Sequence, residues 1–259
     1  MKVATKNKLT DVDSNLKPTL SFNDVNLTFS DGTQALHNIN LNVRQDEFVS
    51  IVGPSGCGKS TLLKVASGLE KVTSGTLVAD HDHLGYVFQD ATLLPWRTVE
   101  DNVGLLTELR KVPKADRKAK VDEALELVGL TAFAKYHPRR LSGGMRMRVS
   151  LARALTMDPQ VFLFDEPFGA LDEITRERLN DELLQLFMRQ NFAAVFVTHS
   201  IYEAVFLSTR VVVMSPRPGR IIGEFEVPFS YPRAPEIRFS PQFSELAGKI
   251  SETLRKEIH

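Results

Sequence analysis

The 259-residue chain is 42% hydrophobic and 25% charged, the composition of a globular protein of one or two domains with a sizeable core. Lysine plus arginine equals aspartate plus glutamate at 32 each, so no global field favours nucleic acid or an anionic membrane surface. The single cysteine, Cys57, excludes an intrachain disulfide framework and a multi-cysteine metal site, and no apolar run approaches the ~18 residues that cross a bilayer.

The start, Met1-Lys2-Val3-Ala4-Thr5-Lys6-Asn7-Lys8, has no apolar stretch behind its lysines, so a cytoplasmic location is expected. Residues 1 to 18 are polar, mixed in charge and without period, and read as a mobile tail. Thr19 to Phe29 then alternates, with Leu20, Phe22, Val25, Leu27 and Phe29 apolar; Ser30-Asp31-Gly32-Thr33 supplies turn chemistry, and Ala35 to Val43 follows. This pattern predicts paired antiparallel strands. Phe29, at the end of the first, can pack in the core or offer its ring to a planar partner, and spacing leaves both open.

Phe48 to Val52 is a short β-branched, apolar run, and behind it Gly53-Pro54-Ser55-Gly56-Cys57-Gly58-Lys59-Ser60, with Thr61, fits G-x-x-x-x-G-K-[ST]. Leu62, Leu63 and Ala66 recur at helical spacing up to Gly68, so the motif lies between a strand and a helix, as a P-loop requires. Its glycines let successive N–H groups point at phosphate oxygens, and the helix start adds its positive end. Lys59 would bridge the outer phosphates of a nucleoside triphosphate, and Ser60 offers a hydroxyl to Mg²⁺. Cys57 reads as a small residue that fits the loop rather than as a redox group.

Short strands are expected around Thr76-Leu77-Val78 and Gly85-Tyr86-Val87-Phe88, with Gln89 at the end of the second; His81 and His83 fall in the polar connection, which reads as an exposed loop rather than a metal site. Leu93-Leu94-Pro95-Trp96-Arg97 leads to Thr98, a helix N-cap with Asp101 in a capping-box position. From Val99 to Leu130 the period is helical: Val103, Leu106 and Leu109 form one stripe, Val121, Ala124, Leu125 and Val128 another, and Gly129 stops it. The charges of Lys111 to Lys120 fall opposite the apolar stripe and read as a solvated face.

Leu141-Ser142-Gly143-Gly144-Met145 precedes a periodic helix (Met145, Val149, Ala152, Leu155), so Ser142, Gly143 and Gly144 stand where free N–H groups emerge, a second anion site in the same chain. Val161 to Phe164 ends in Asp165-Glu166, which suits a strand buried on both faces with carboxylates at its carboxyl edge. Asp165 is then placed to hold Mg²⁺, and Glu166 to take a proton from an attacking water. Val211 to Met214 and Arg220 to Val227 read as final strands around Arg217-Pro218-Gly219, and Ser240 caps a last helix with Phe243, Leu246, Ile250 and Leu254 on its apolar face.

In this order the P-loop, Gln89, Leu141-Ser142-Gly143-Gly144, Asp165-Glu166, Ala170-Leu171-Asp172 and His199 resemble the motifs of an ATP-binding-cassette ATPase, over about residues 19 to 230. The resemblance implies that Gln89 contacts Mg²⁺ and the water and senses a permease, that Asp172 belongs to the D-loop, that His199 contacts the γ-phosphate and the catalytic glutamate, and that Phe29 stacks on adenine. Two features depart from the pattern: Met145 and Met147 in the signature region, and a short connection between Gly75 and Gly85. Gln89 to Val103 and the Ser-Gly-Gly-Met-Arg signature resemble most those of importer ATPases of the nitrate, sulfonate and taurine type.

The expected fold is α/β: a P-loop NTPase core of mixed, mainly parallel sheet, with an antiparallel β subdomain and a helical subdomain inserted at about residues 91–144 of a cassette spanning 19–230. Residues 231–259 form a C-terminal extension with a helix. The expected function is ATP hydrolysis, with Mg²⁺, driving small-solute uptake through a permease on separate chains at the cytoplasmic side of the membrane, served by an extracytoplasmic solute-binding protein and with no nucleic-acid partner. A soluble cassette ATPase acting on DNA or ribosomes is the alternative, and such proteins usually carry a second cassette, a coiled-coil insertion or a basic surface. Because one chain carries two phosphate-directed sites, a two-fold pair is expected, each ATP lying between one chain's P-loop and the other's Ser142-Gly143-Gly144.

Overall fold

The computed structural model describes residues 18–257, so the tail expected over residues 1–18 lies, apart from Pro18, outside the described residues. The alternating segment is β1 (Leu20–Thr28), which pairs antiparallel with β2 (Gln34–Val43). Leu20 lies opposite Val43 and Phe22 opposite Leu41, so the apolar residues of both strands share one buried face.

β3 (Phe48–Val52) is buried at every position and leads through the glycine loop into α1 (Lys59–Ala66). β4 (Ser74–Ala79) returns to the other edge of β1 and completes a three-stranded sheet in the order β2-β1-β4. The chain then enters β5 (Leu84–Val87), an edge strand of the second sheet.

The expected helical stretch is three helices, α2 (Val99–Val103), α3 (Leu105–Leu109) and α4 (Lys114–Leu127). The break at Gly104 changes the phase of the first stripe: Leu109 is 68% exposed and Thr107 is buried in its place. Gly104 fits there because its backbone runs close under Val121; a Cβ would lie 3.3 Å from that side chain. Val103, Val121, Ala124, Leu125 and Val128 do form one apolar cluster, joined by Val149 and Ala152 of α5 (Gly143–Leu155).

β6 (Val161–Asp165) and β7 (Ala193–Thr198) are wholly buried and flank α6 (Glu173–Arg189); α7 (Ile201–Leu207) leads to the hairpin of β8 (Arg210–Met214) and β9 (Ile221–Glu226). The six-stranded sheet has the order β5-β6-β7-β3-β8-β9 and is parallel except for its last pair. Successive side chains of one strand feed opposite layers. Val49 and Ile51 meet α1 and the antiparallel sheet, while Phe48 and Val52 meet the layer of α6 and α7.

The last helix, α8 (Pro241–Lys256), is capped by Ser240 and buries Phe243 and Ile250 in that second layer, with Ala247 enclosed as well. Ahead of it, the buried Arg233 donates to the carbonyls of Val205, Phe206, Ser208 and Phe229. Carbonyls at a helix end have no partner within the helix, so one guanidinium terminates α7.

Candidate functional site

Because β3, β5, β6 and β7 run parallel, the residues that follow each of them meet at one edge of the sheet. That edge collects the P-loop after β3, Gln89 after β5, Asp165-Glu166 at the end of β6 and His199 after β7.

The loop from Gly53 to Ser60 is shaped by Gly58, whose φ of 110° and approach to Ala35 suit only glycine: a Cβ there would lie 2.9 Å from the Ala35 carbonyl oxygen. Lys59 is 5% exposed, and its ammonium donates to the carbonyls of Gly53 (2.9 Å) and Pro54 (3.0 Å). Ser55 and Gly56 are exposed, while the Cys57 side chain turns inward, where its sulfur lies 2.9 Å from the position of a Cβ on Gly53. Burial pushes the Cys57 thiol up. Only the backbone of Cys57 is therefore available to a ligand, and Pro54 has no N–H to offer.

Ser60 at the start of α1 donates its hydroxyl to Asp165 Oδ1 at 2.7 Å, and Tyr86 of β5 donates to Asp165 Oδ2 at 3.2 Å. Burial and the neighbouring Asp165 carboxylate raise Tyr86 far above the ordinary tyrosine range, so its hydroxyl keeps the proton it donates. A hydroxyl and a carboxylate beside a phosphate-binding loop form an oxygen donor set of the kind that suits a hard divalent cation.

Glu166 lies between Lys59 and His199. Its Oε1 is 3.8 Å from Lys59 Nζ and its Oε2 is 3.5 Å from His199 Nδ1. The backbone of Glu166 has φ 45°, a left-handed conformation costing a non-glycine residue of order 1 kcal/mol. Glu166 N donates to Val197 O (3.0 Å) and its carbonyl accepts from Gly169 N (3.1 Å), which holds the carboxylate off the sheet edge and toward Lys59. His199 is 55% exposed.

Asp172 caps α6 by accepting from Thr175 N at 3.0 Å, a bond that holds its carboxyl below the usual carboxylate range. Ser142 caps α5 by accepting from Met145 N at 3.2 Å, and Arg146 folds back onto the Leu141 carbonyl. Met147 is buried in the main core and Met145 packs against the helical cluster, so the two departures from the family pattern point away from the exposed Ser142. Neither Ser142-Gly143-Gly144 nor the exposed Gln89 joins the contacts among Lys59, Ser60, Asp165 and Glu166. Phe29 is 37% exposed at the β1–β2 turn, and His83 pairs with Asp80.

Three contributors escape a reading by motif. Tyr86 is one, although its place on the same strand as Val87, with opposite facing, would put it toward α1. The other two shape the segment after Gln89. Arg153 donates to the carbonyls of Ala91 and Thr92, and buried Asn102 accepts from Leu94 N and donates to the carbonyls of Leu94, Arg97 and Thr98. Their polar types at otherwise apolar helix faces were the available signal. Between them the loop presents Trp96, 72% exposed.

A sequence model of the family described as ABC transporter matches residues 36–169. An aliphatic sulfonates import ATP-binding protein of Bacillus cereus is 42% identical over 242 residues, 90% of this chain and 94% of that protein. An uncharacterized ABC transporter ATP-binding protein of Methanocaldococcus jannaschii is 44% identical over 232 residues, covering 87% and 86%. Among solved structures, cbiO1 of Clostridium perfringens, part of the ABC transporter complex cbiONQ, superposes with a TM-score of 0.76 at 27% identity over 93% of this chain and 97% of that one. A dimeric ATP-binding cassette in a post-hydrolysis state with ADP and Pi superposes with a TM-score of 0.71 at 33% identity over 81% and 99%.

Proposed function

The chain belongs to the ABC transporter family and is an ATP-binding, ATP-hydrolysing subunit of it; from that premise we propose that it powers import of a small solute through a permease on separate chains. The observation that carries this reading is the contact set around Glu166, which faces Lys59 on one side and His199 on the other at the edge where Ser60 meets Asp165.

In the proposed reaction the P-loop N–H groups and Lys59 hold the outer phosphates of ATP, with Phe29 against the adenine. Glu166 takes a proton from a water whose oxygen bonds to the γ-phosphorus as the bond from that phosphorus to the β–γ bridging oxygen breaks, giving ADP and phosphate. His199 orients Glu166 and the γ-phosphate. Ser60, Asp165 and Gln89 would hold Mg²⁺, which would offset the phosphates' negative charge. The helix start at Ser142-Gly143-Gly144, carried by an insertion of about residues 91–144, serves the ATP of a second copy, with Asp172 at the same junction. The exposed Gln89 and Trp96 face the permease from the cytoplasmic side, and a solute-binding protein acts beyond it.

The sulfonate-import relatives make organosulfonates and comparable small anions the first substrates to test. Cells carrying the chain or its Glu166→Gln variant would be offered labelled taurine, an alkanesulfonate and nitrate. Uptake of one of them by the parent and its loss in the variant is expected; equal uptake of all three in both would overturn the importer reading.

A further inference from the structure

His199 owes its position to its backbone, since its ring is more than half exposed and, among the described residues, its polar contact is the one to Glu166. The residues on either side of it are tied to a single buried group. Thr198 Oγ1 donates to Glu203 Oε2, and the same Oγ1 accepts from Ser200 N at 3.0 Å. Ser200 in turn caps α7 by accepting from Glu203 N at 3.3 Å. Glu203 therefore closes two links across the peptide units that flank His199, from a side chain that is 7% exposed.

A carboxyl enclosed between β7 and α7 is an expensive way to end a strand if packing were its only task. Its second oxygen, Oε1, and the Oδ1 of the adjacent Asn180 on α6 are both enclosed without a hydrogen-bond partner among the described residues. Arg176 and His199 are the other charged or titratable groups that bear on it, and burial pushes the Glu203 carboxyl up. What this carboxyl does have is the Thr198 hydroxyl, with the side chain of Asn180 beside it.

We propose that Glu203 is a positioning residue for ATP hydrolysis: acting through Thr198, it fixes the backbone that sets His199 against Glu166. The inference rests on the role given to His199 above. It requires that losing the Glu203–Thr198 link matters only while His199 is present, because two residues acting in series give non-additive effects.

The test is a double-mutant cycle on the full chain, with ATPase rate and ATP affinity both measured. Thr198→Val keeps the side-chain shape and deletes the hydroxyl; it should lower kcat about tenfold with ATP affinity unchanged, a modest share of the 10²–10⁴-fold that an acid–base group supplies. Glu203→Ala should do the same. Glu203→Gln should stay within about threefold of the parent, because its amide keeps an acceptor for Thr198 and brings a donor toward Asn180 Oδ1. In a His199→Ala background neither Thr198→Val nor Glu203→Ala should lower the rate further. Effects that multiply with that of His199→Ala, or a parent rate in Thr198→Val, would overturn the inference; a parent rate in His199→Ala alone would instead overturn the role of His199. Thermal unfolding of each variant separates loss of folding from loss of positioning, and if Glu203→Ala fails to fold, Thr198→Val decides.

Discussion

Ser60 and Asp165 are 105 positions apart in the chain and 2.7 Å apart in the fold, hydroxyl to carboxylate. They meet because β3 and β6 run parallel with β7 between them, so the helix start after one strand and the acid at the end of the other share an edge. Tyr86 holds the second carboxylate oxygen from the far side.

Tyr86→Phe removes that donor and little else. If Asp165 holds Mg²⁺, the Mg²⁺ concentration for half-maximal ATPase should rise, by an amount up to the roughly 10-fold lower end of outer-shell effects. An unchanged Mg²⁺ titration would show that the Tyr86 bond does not tune the site.

Glu166→Gln should bind ATP, barely hydrolyse it and accumulate as an ATP-dependent dimer, since a general base contributes about 10²–10⁴-fold to rate while other groups hold the nucleotide. Adding Ser142→Arg should dissolve that dimer and leave monomers that still bind. Light scattering with and without Mg-ATP reads both outcomes, and a single mutant that stays monomeric at saturating nucleotide defeats the two-fold arrangement.

Trp96 is exposed on a segment that Asn102 and Arg153 hold in shape, so its role is at a surface and not in the core. Trp96→Ala should leave the isolated ATPase folded and within about twofold of the parent rate, as surface changes rarely matter to stability. Uptake by the assembled transporter should fall. Equal loss in both assays would place the defect inside the chain.

The thiol of Cys57 should be slow to react. Its pKa is raised by burial, so at pH 8 it is protonated in the folded chain, and the thiolate is the nucleophile. Iodoacetamide labelling followed by mass spectrometry should run at least about tenfold slower in the native chain than in urea. Equal rates would mean that the loop opens readily.

Much of the candidate site was legible because its residues lie in contiguous motifs, the glycine loop between strand and helix and the acids closing a buried run, while the serine and glycines before a periodic helix were legible as a helix start that lies outside their contacts. The two methionines after Ser142 were readable as departures, but only packing reveals that Met145 and Met147 point into apolar clusters. Period alone misled at Leu109, where a break at Gly104 rephased the helix face. Tyr86, Asn102, Arg153 and Glu203 act through bonds that reach partners up to 79 positions away, and no local pattern encodes such partners.

The guanidinium of Arg233 sets a limit on how far this protein can be shortened. A chain ended at residue 230 would keep every phosphate-directed motif, yet the carbonyls of Val205, Phe206 and Ser208 would lose their donor and the apolar layer would lose Phe243 and Ile250. The loss would fall on α7, which begins two residues after His199. The minimal working unit is thus longer than its motifs, and trimming from the carboxyl end should yield aggregated material before it yields a smaller ATPase.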